Sequence, residues 1–228
     1  MKRGRPLKRT KGVRQEQRRY LIYCEGECTE VQYFQGLKNE LRALPVSIRM
    51  GGEHGEPTSL VRAAIAHKKR APRSPEDRRT EYDEVWCVID VEAPRPHAGL
   101  EEALALARRE GIEVVLTNPC FELWILLHFR DVSGPHTSEA AQKALEKLGI
   151  GGYTTSRKHF GFEHVRERFP DAADRAHHLR RRSAVPGHAN NPWTDVDRLV
   201  RRLKAARQKP GGHPGARLGT PPAPSAEP

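Results

Sequence analysis

Four acidic residues stand where a carboxylate could do chemistry. Tyr20-Leu21-Ile22-Tyr23-Cys24 is a short apolar and aromatic run that reads as a buried strand, and it stops at Glu25-Gly26. Val85-Trp86-Cys87-Val88-Ile89 reads the same way and delivers Asp90 and Glu92 at its C-terminal end. In open α/β sheets that edge is where ligands bind, and a glycine beside Glu25 lets backbone or ligand come close. Asp90 and Glu92 lie two apart, so in extended chain they point to one side. Convergent carboxylates repel unless a divalent cation lies among them, and oxygen-only donors suit Mg²⁺ or Mn²⁺. Glu122 is the fourth, the one charge in the apolar run Phe121-Glu122-Leu123-Trp124-Ile125-Leu126-Leu127. A carboxylate in such company must be paired, protonated or metal-bound; an arginine or a backbone cap is the alternative to a metal.

The elements that must position these residues follow from periodicity. Thr29-x-x-Gln32 has the form of a capping box, and Val31, Phe34, Leu37, Leu41 and Leu44 give an amphipathic helix over Glu30 to Leu44. Pro45 ends it, and Val46 to Met50 alternates as a second strand. Thr58 after Pro57 predicts the cap of a helix through Ile65, followed by an exposed loop with a frayed helix end over Lys68 to Tyr82. After the strand at Val85–Ile89 come an irregular Pro94/Pro96 connection, a helix over Leu100 to Arg109 closed by Gly111, and a strand over Ile112 to Leu116. This β-α-β-α-β-α-β order predicts an α/β domain with a mostly parallel sheet flanked by helices. Asn118-Pro119 is expected to open a buried helix, and Asn191-Pro192 a second one bearing Val196, Leu199, Val200 and Leu203. Between them, Ser138–Leu148, Phe162–Phe169 and Asp171–Arg182 read as helices, with a loop over Gly151–His159.

The chain of 228 residues carries a net charge of +11, which points to a polyanionic partner, nucleic acid before membrane. No apolar run approaches the ~18 residues that span a bilayer, so a cytoplasmic location is expected. Cys24, Cys28, Cys87 and Cys120 form no C-x-x-C pair, so structural thiols are expected rather than zinc. Residues 1–19 read as a basic disordered arm, 20–130 as the α/β core, 131–207 as a C-terminal helical annex and 208–228 as a disordered Pro/Gly/Ala tail. Arg157, Lys158 and the run Arg180-Arg181-Arg182 are the candidate nucleic-acid contacts. Lys158 is also the candidate cation for a developing phosphoryl charge.

Glu-Gly after one strand and an acid-x-acid pair after a later one resembles the TOPRIM domain of topoisomerases, primases and OLD-type nucleases. More closely, Cys24-Glu25-Gly26-Glu27-Cys28-Thr29-Glu30, Asn118-Pro119-Cys120-Phe121-Glu122-Leu123-Trp124 and Asn191-Pro192-Trp193-Thr194-Asp195-Val196 together resemble the RloB family. That resemblance implies a TOPRIM-like, Rossmann-like fold and a place in bacterial antiviral defence or abortive infection beside a partner ATPase of the AAA or ABC type. It puts Glu25, Asp90 and Glu92 at the TOPRIM acidic positions. Two positions depart from the pattern: Glu92 is one methylene longer than the usual second Asp, and Pro94 stands where a further acid often follows. Glu122 is the candidate to complete the ligand set.

The function expected is metal-dependent cleavage of RNA or DNA, with Glu25, Asp90 and Lys158 catalytic and Glu25, Asp90, Glu92 and Glu122 holding the metal. The alternative is a catalytically inactive module that binds nucleic acid or the ATPase. A nucleotide-binding Rossmann protein is disfavoured, because neither G-x-G-x-x-G nor G-x-x-x-x-G-K-[ST] occurs.

Overall fold

The computed structural model describes residues 18–42, 45–50, 56–183 and 187–208. In chain order the elements are β1 (Tyr20–Cys24), α1 (Thr29–Leu41), β2 (Val46–Met50), α2 (Pro57–Arg70), β3 (Glu84–Asp90), α3 (Leu100–Glu110) and β4 (Glu113–Asn118). Then follow α4 (Glu122–Leu127), α5 (Ser138–Lys147), α6 (Phe169–Arg182), β5 (Trp193–Thr194) and α7 (Val196–Gln208). The five strands form one sheet in the order β2-β1-β3-β4-β5. The first three pairings are parallel, and β5 runs antiparallel to β4. The expected α/β class, with a mostly parallel sheet, flanking helices and C-terminal helices, is what the chain adopts.

Strand alternation decides what each face buries. Tyr20, Ile22 and Cys24 of β1 belong to the core formed with α1, α4, α5, α6 and α7. Leu21 and Tyr23 belong to the opposite core, formed with α2 and α3. The C-terminal helices therefore share the α1-side core rather than building a separate one. In α4, Leu123 to Leu127 are each at most 1% exposed. Burying such side chains is worth roughly 1.5–3 kcal/mol each, so packing and not propensity holds this six-residue helix.

Several local expectations are corrected. Helix α1 starts at Thr29, so Cys28 stands at the N-cap and makes no side-chain cap, while the Thr29 hydroxyl donates to Glu122. It ends at Leu41, and Leu44 lies outside the described residues. Glu56, not Thr58, caps α2: its Oε2 accepts from Ser59 N at 2.7 Å, while Thr58 Oγ1 donates to the Gly99 carbonyl. That helix ends at Arg70, within the stretch expected to hold a helix end and a loop. Phe162–Phe169 is not a helix but two short 3₁₀ turns leading into α6, which has Pro170 in its first turn.

Both Asn-Pro pairs end or precede strands instead of opening helices. A residue before proline is pushed out of the helical region, and Asn118 accordingly extends β4 to meet Trp193. Both peptide bonds are cis. The segment after the second pair, Trp193-Thr194, is the fifth strand, which composition alone did not reveal. It covers the β4 edge, with Leu116 N donating to Asp195 Oδ1 at 2.6 Å and Thr117 Oγ1 3.1 Å from Thr194 Oγ1.

Residues 1–17 of the expected basic arm and 209–228 of the expected tail lie outside the described residues. The last two arm residues are anchored: Arg18 pairs with Glu84 at 3.2 Å, and the Arg19 guanidinium lies 4.3 Å over the Tyr82 ring. Segment 184–186 is likewise outside the described residues. No helix among the described residues is long and apolar enough to cross a membrane.

Candidate functional site

The parallel register carries Glu25 and Asp90 to the same sheet edge. Cys24 pairs with Val88, and the strand contact continues one step as Glu25 N donates to the Val88 carbonyl at 3.2 Å. Glu25 Oε2 then accepts from Asp90 N at 3.0 Å, which fixes the first carboxylate on the backbone that bears the second. Its other oxygen, Oε1, lies 3.0 Å from His97 Nε2, in the connection before α3. Asp90 Oδ1 is buried and has no hydrogen-bond partner among the described residues.

Glu122 joins them from α4. Its Oε1 accepts from Thr29 Oγ1 at 3.1 Å and from Tyr153 Oη at 2.9 Å. The buried partners are thus two hydroxyls, not the arginine or backbone cap that burial alone suggested. Glu122 is 3% exposed, and its position is set by the apolar helix behind it.

A further carboxylate, Glu30, escaped the sequence reading. It is 6% exposed in the first turn of α1 and sits against Gly26, where an added Cβ would come within 2.3 Å of its Oε2. A side chain at position 26 would therefore displace the Glu30 carboxylate from where it sits. Glu30 precedes the buried Tyr33, Phe34, Leu37 and Leu41 at helical spacing, so a charge on the apolar stripe was the available signal.

Glu92 does not join the cluster. Its φ of 65° breaks the extended alternation that would have set it beside Asp90, and its amide donates to the Pro119 carbonyl at 2.9 Å. Its side chain is 49% exposed, 4.0 Å from His97 Nε2.

The electrostatics follow from placing four acids together away from water. Burial pushes Glu25 up to about 8, against the hydrogen bond from Asp90 N. Burial and then the Glu122 charge push Glu30 up to about 7, with Lys158 and the Gly26 amide acting the other way. Asp90 is pushed well above the carboxylate range by burial first, then by Glu30, Glu25 and Glu122.

Lys158 reaches the cluster through a built loop. Its backbone has a φ of 46°, its amide donates to the Thr154 carbonyl at 2.8 Å, and Gln32 brackets it. Gln32 Nε2 donates to Lys158 O at 3.4 Å and Oε1 accepts from Phe160 N at 3.1 Å. Gln32 therefore clamps a loop about 126 positions away instead of completing a capping box.

The basic candidates separate. Arg157 is exposed beside Lys158, and Arg181 and Arg182 are exposed at the end of α6. Arg180 is occupied: it makes a bidentate pair with Asp197 at 2.6 and 2.9 Å and also donates to Thr194 O. Its guanidinium ties α6 to β5 and α7 and is not free to grip a phosphate.

For a divalent cation the donor chemistry fits: hard oxygen ligands, mutual repulsion to relieve and an orphaned Asp90 oxygen. Among the described residues no three His, Cys, Asp or Glu side chains are yet gathered closely enough to hold an ion, so binding would have to draw the carboxylates in.

No curated protein and no solved structure matches the chain. The family described as RloB-like protein matches residues 20–203, from the first residue of β1 to Leu203 in α7 and thus across every carboxylate of the site, and the chain accordingly belongs to the RloB-like family.

Proposed function

We propose that this protein is a TOPRIM-like, divalent-metal-dependent phosphodiesterase acting on nucleic acid. The observation that carries this reading is the buried, unpartnered Asp90 Oδ1 facing Glu25, Glu30 and Glu122 at the C-terminal edge of a parallel sheet. Burial first, and then neighbouring charge, makes Glu25, Glu30 and Asp90 costly to ionise, and a bound cation would relieve that cost.

Asp90, Glu25, Glu30 and Glu122 are the residues that would hold Mg²⁺ or Mn²⁺; Glu92 is not among them. When bound, the ion supplies Lewis-acid stabilisation of a phosphoryl oxygen and a lowered pKa for attacking water. Glu25, anchored on Asp90 N, would serve as a ligand or as the group that takes or returns a proton. Lys158, next to Glu30, offers a fixed cation for charge that develops on the phosphate. The excess of Lys and Arg fits a polyanionic substrate. A role in antiviral defence beside a partner ATPase, in the cytoplasm, belongs to the same proposal and rests on the family resemblance.

A second reading, an inactive binding module, is favoured by two observations. Glu92 stands outside the site, and among the described residues no three ligands stand ready. One pair of measurements separates the readings. Thermal unfolding with and without Mn²⁺ should show a rise in Tm for the parent chain, because a ion bound only by the folded state stabilises it. Asp90→Asn should abolish that rise while folding normally, and should abolish cleavage of labelled RNA or DNA. A parent chain with no metal-dependent shift and no cleavage leaves the binding module as the function.

A further inference from the structure

A crevice of about 370 Å³ lies against α5, lined by Arg130, Ala140, Lys143, Ala144, Lys147 and Leu148. No member of the carboxylate cluster lines it. Helix α5 buries Ala141 and Leu145, and the lining residues at 140, 143, 144 and 147 fall on another face at spacings of three and four. The two alanines allow close approach along that face. Leu148 follows them at 39% exposure, the one large hydrophobic residue that is exposed among the described residues. Around this aliphatic floor stand three cations. Lys143 pairs with Glu139 on its own helix, while Arg130 and Lys147 have no ion-pair partner among the described residues.

We propose that this crevice docks an acidic amphipathic helix of a partner protein. An aliphatic floor takes the apolar stripe of such a helix, and the cationic rim takes the carboxylates that flank it. The floor is less suited to nucleic acid, because it offers no aromatic ring on which a base could stack. A basic or neutral partner would leave Arg130 and Lys147 facing no counter-charge. The inference does not depend on the metal site, since the crevice and the carboxylate cluster share no residue.

The test uses the full chain and a labelled synthetic peptide of about four helical turns. The peptide carries leucines on one face and glutamates beside them. Fluorescence anisotropy should show saturable binding that weakens about tenfold or more in Leu148→Ser and in Lys147→Glu, with both variants keeping the parent Tm. The same peptide with lysine for glutamate should not bind. Asp90→Asn should bind the acidic peptide like the parent, so failure at this surface is distinguishable from failure of the metal site.

Three results would overturn the proposal. One is no binding of the acidic peptide, or binding that ignores both substitutions. Another is an oligothymidine that occupies the crevice and is lost with Leu148→Ser. The third is a dimer in sedimentation velocity that the same substitution dissociates, which would make a second copy the occupant.

Discussion

At the scale of residues, this site is defined by acids that are costly to ionise. Glu25 is pushed to about 8 by burial and then by the Glu30 charge, and Glu30 to about 7 by burial and then by the Glu122 charge. A carboxyl with a raised folded-state pKa binds its proton more tightly when folded than unfolded. It therefore adds stability below the ordinary carboxylate range, and that stability is lost as pH rises through 7 and 8. His128, buried and pushed down to about 4, works the other way, withdrawing stability as pH falls below its ordinary value. Comparing a variant with its parent at each pH cancels that opposing contribution. In metal-free buffer, Glu25→Gln should match the parent in Tm near pH 5 and exceed it by a margin that grows toward pH 8. A margin that stays constant across that range would show that Glu25 is not held in a repulsive, desolvated setting.

At the scale of elements, the chain uses its motifs to fasten parts together. Thr29 and Gln32, which look like a local helix start, instead reach Glu122 and the Lys158 loop. The Asn-Pro-Trp-Thr segment closes a sheet edge, and Arg180 bolts it to α6. Gln32 is the most exacting of these. It holds Phe160 N and Lys158 O while Lys158 keeps a left-handed backbone that a lysine adopts at a cost of about 1–2 kcal/mol. Gln32→Ala should cost about 1 kcal/mol, roughly 2–4 °C in Tm for a chain of this size. Its signature is local: hydrogen exchange at the Phe160 amide should accelerate well beyond that at β1 and β3 amides. Equal acceleration everywhere would mean that Gln32 supports the whole fold and not the loop.

At the scale of the whole molecule, the positive charge should make nucleic-acid affinity steeply dependent on salt, with a slope of about −0.9 for each duplex phosphate contacted. The two neighbouring arginines at the end of α6 should then behave differently. Arg181→Ala removes an exposed cation and should flatten the slope by about one contact while leaving Tm unchanged. Arg180→Ala should leave the slope intact and destabilise the fold by on the order of 2 kcal/mol. It strands Asp197, which is 3% exposed and whose other ion-pair partner among the described residues is Arg201 at 3.6 Å. Identical behaviour of the two variants in titration and melting would refute this division of labour.

The sequence by itself determined what depends on near neighbours along the chain. Apolar runs, glycine breaks and helical stripes placed four of the five strands and most of the helices. They put Glu25 and Asp90 at strand ends, and the string from Glu25 to Glu30 contained the third acid as well. Tertiary structure decided which acids meet. Glu92 turned away because a distant carbonyl, that of Pro119, holds its amide and imposes a left-handed backbone. Glu30 turned inward because its carboxylate packs against Gly26 and it lies on the helical face that α1 turns to its core, with Tyr33, Phe34, Leu37 and Leu41. Strand β5 needed the free edge of β4 to exist at all, since two residues carry no alternation to read. In each case the deciding interaction joins residues that local propensity cannot couple, and desolvation of a charge, the largest energy in the site, is set only once the chain has packed.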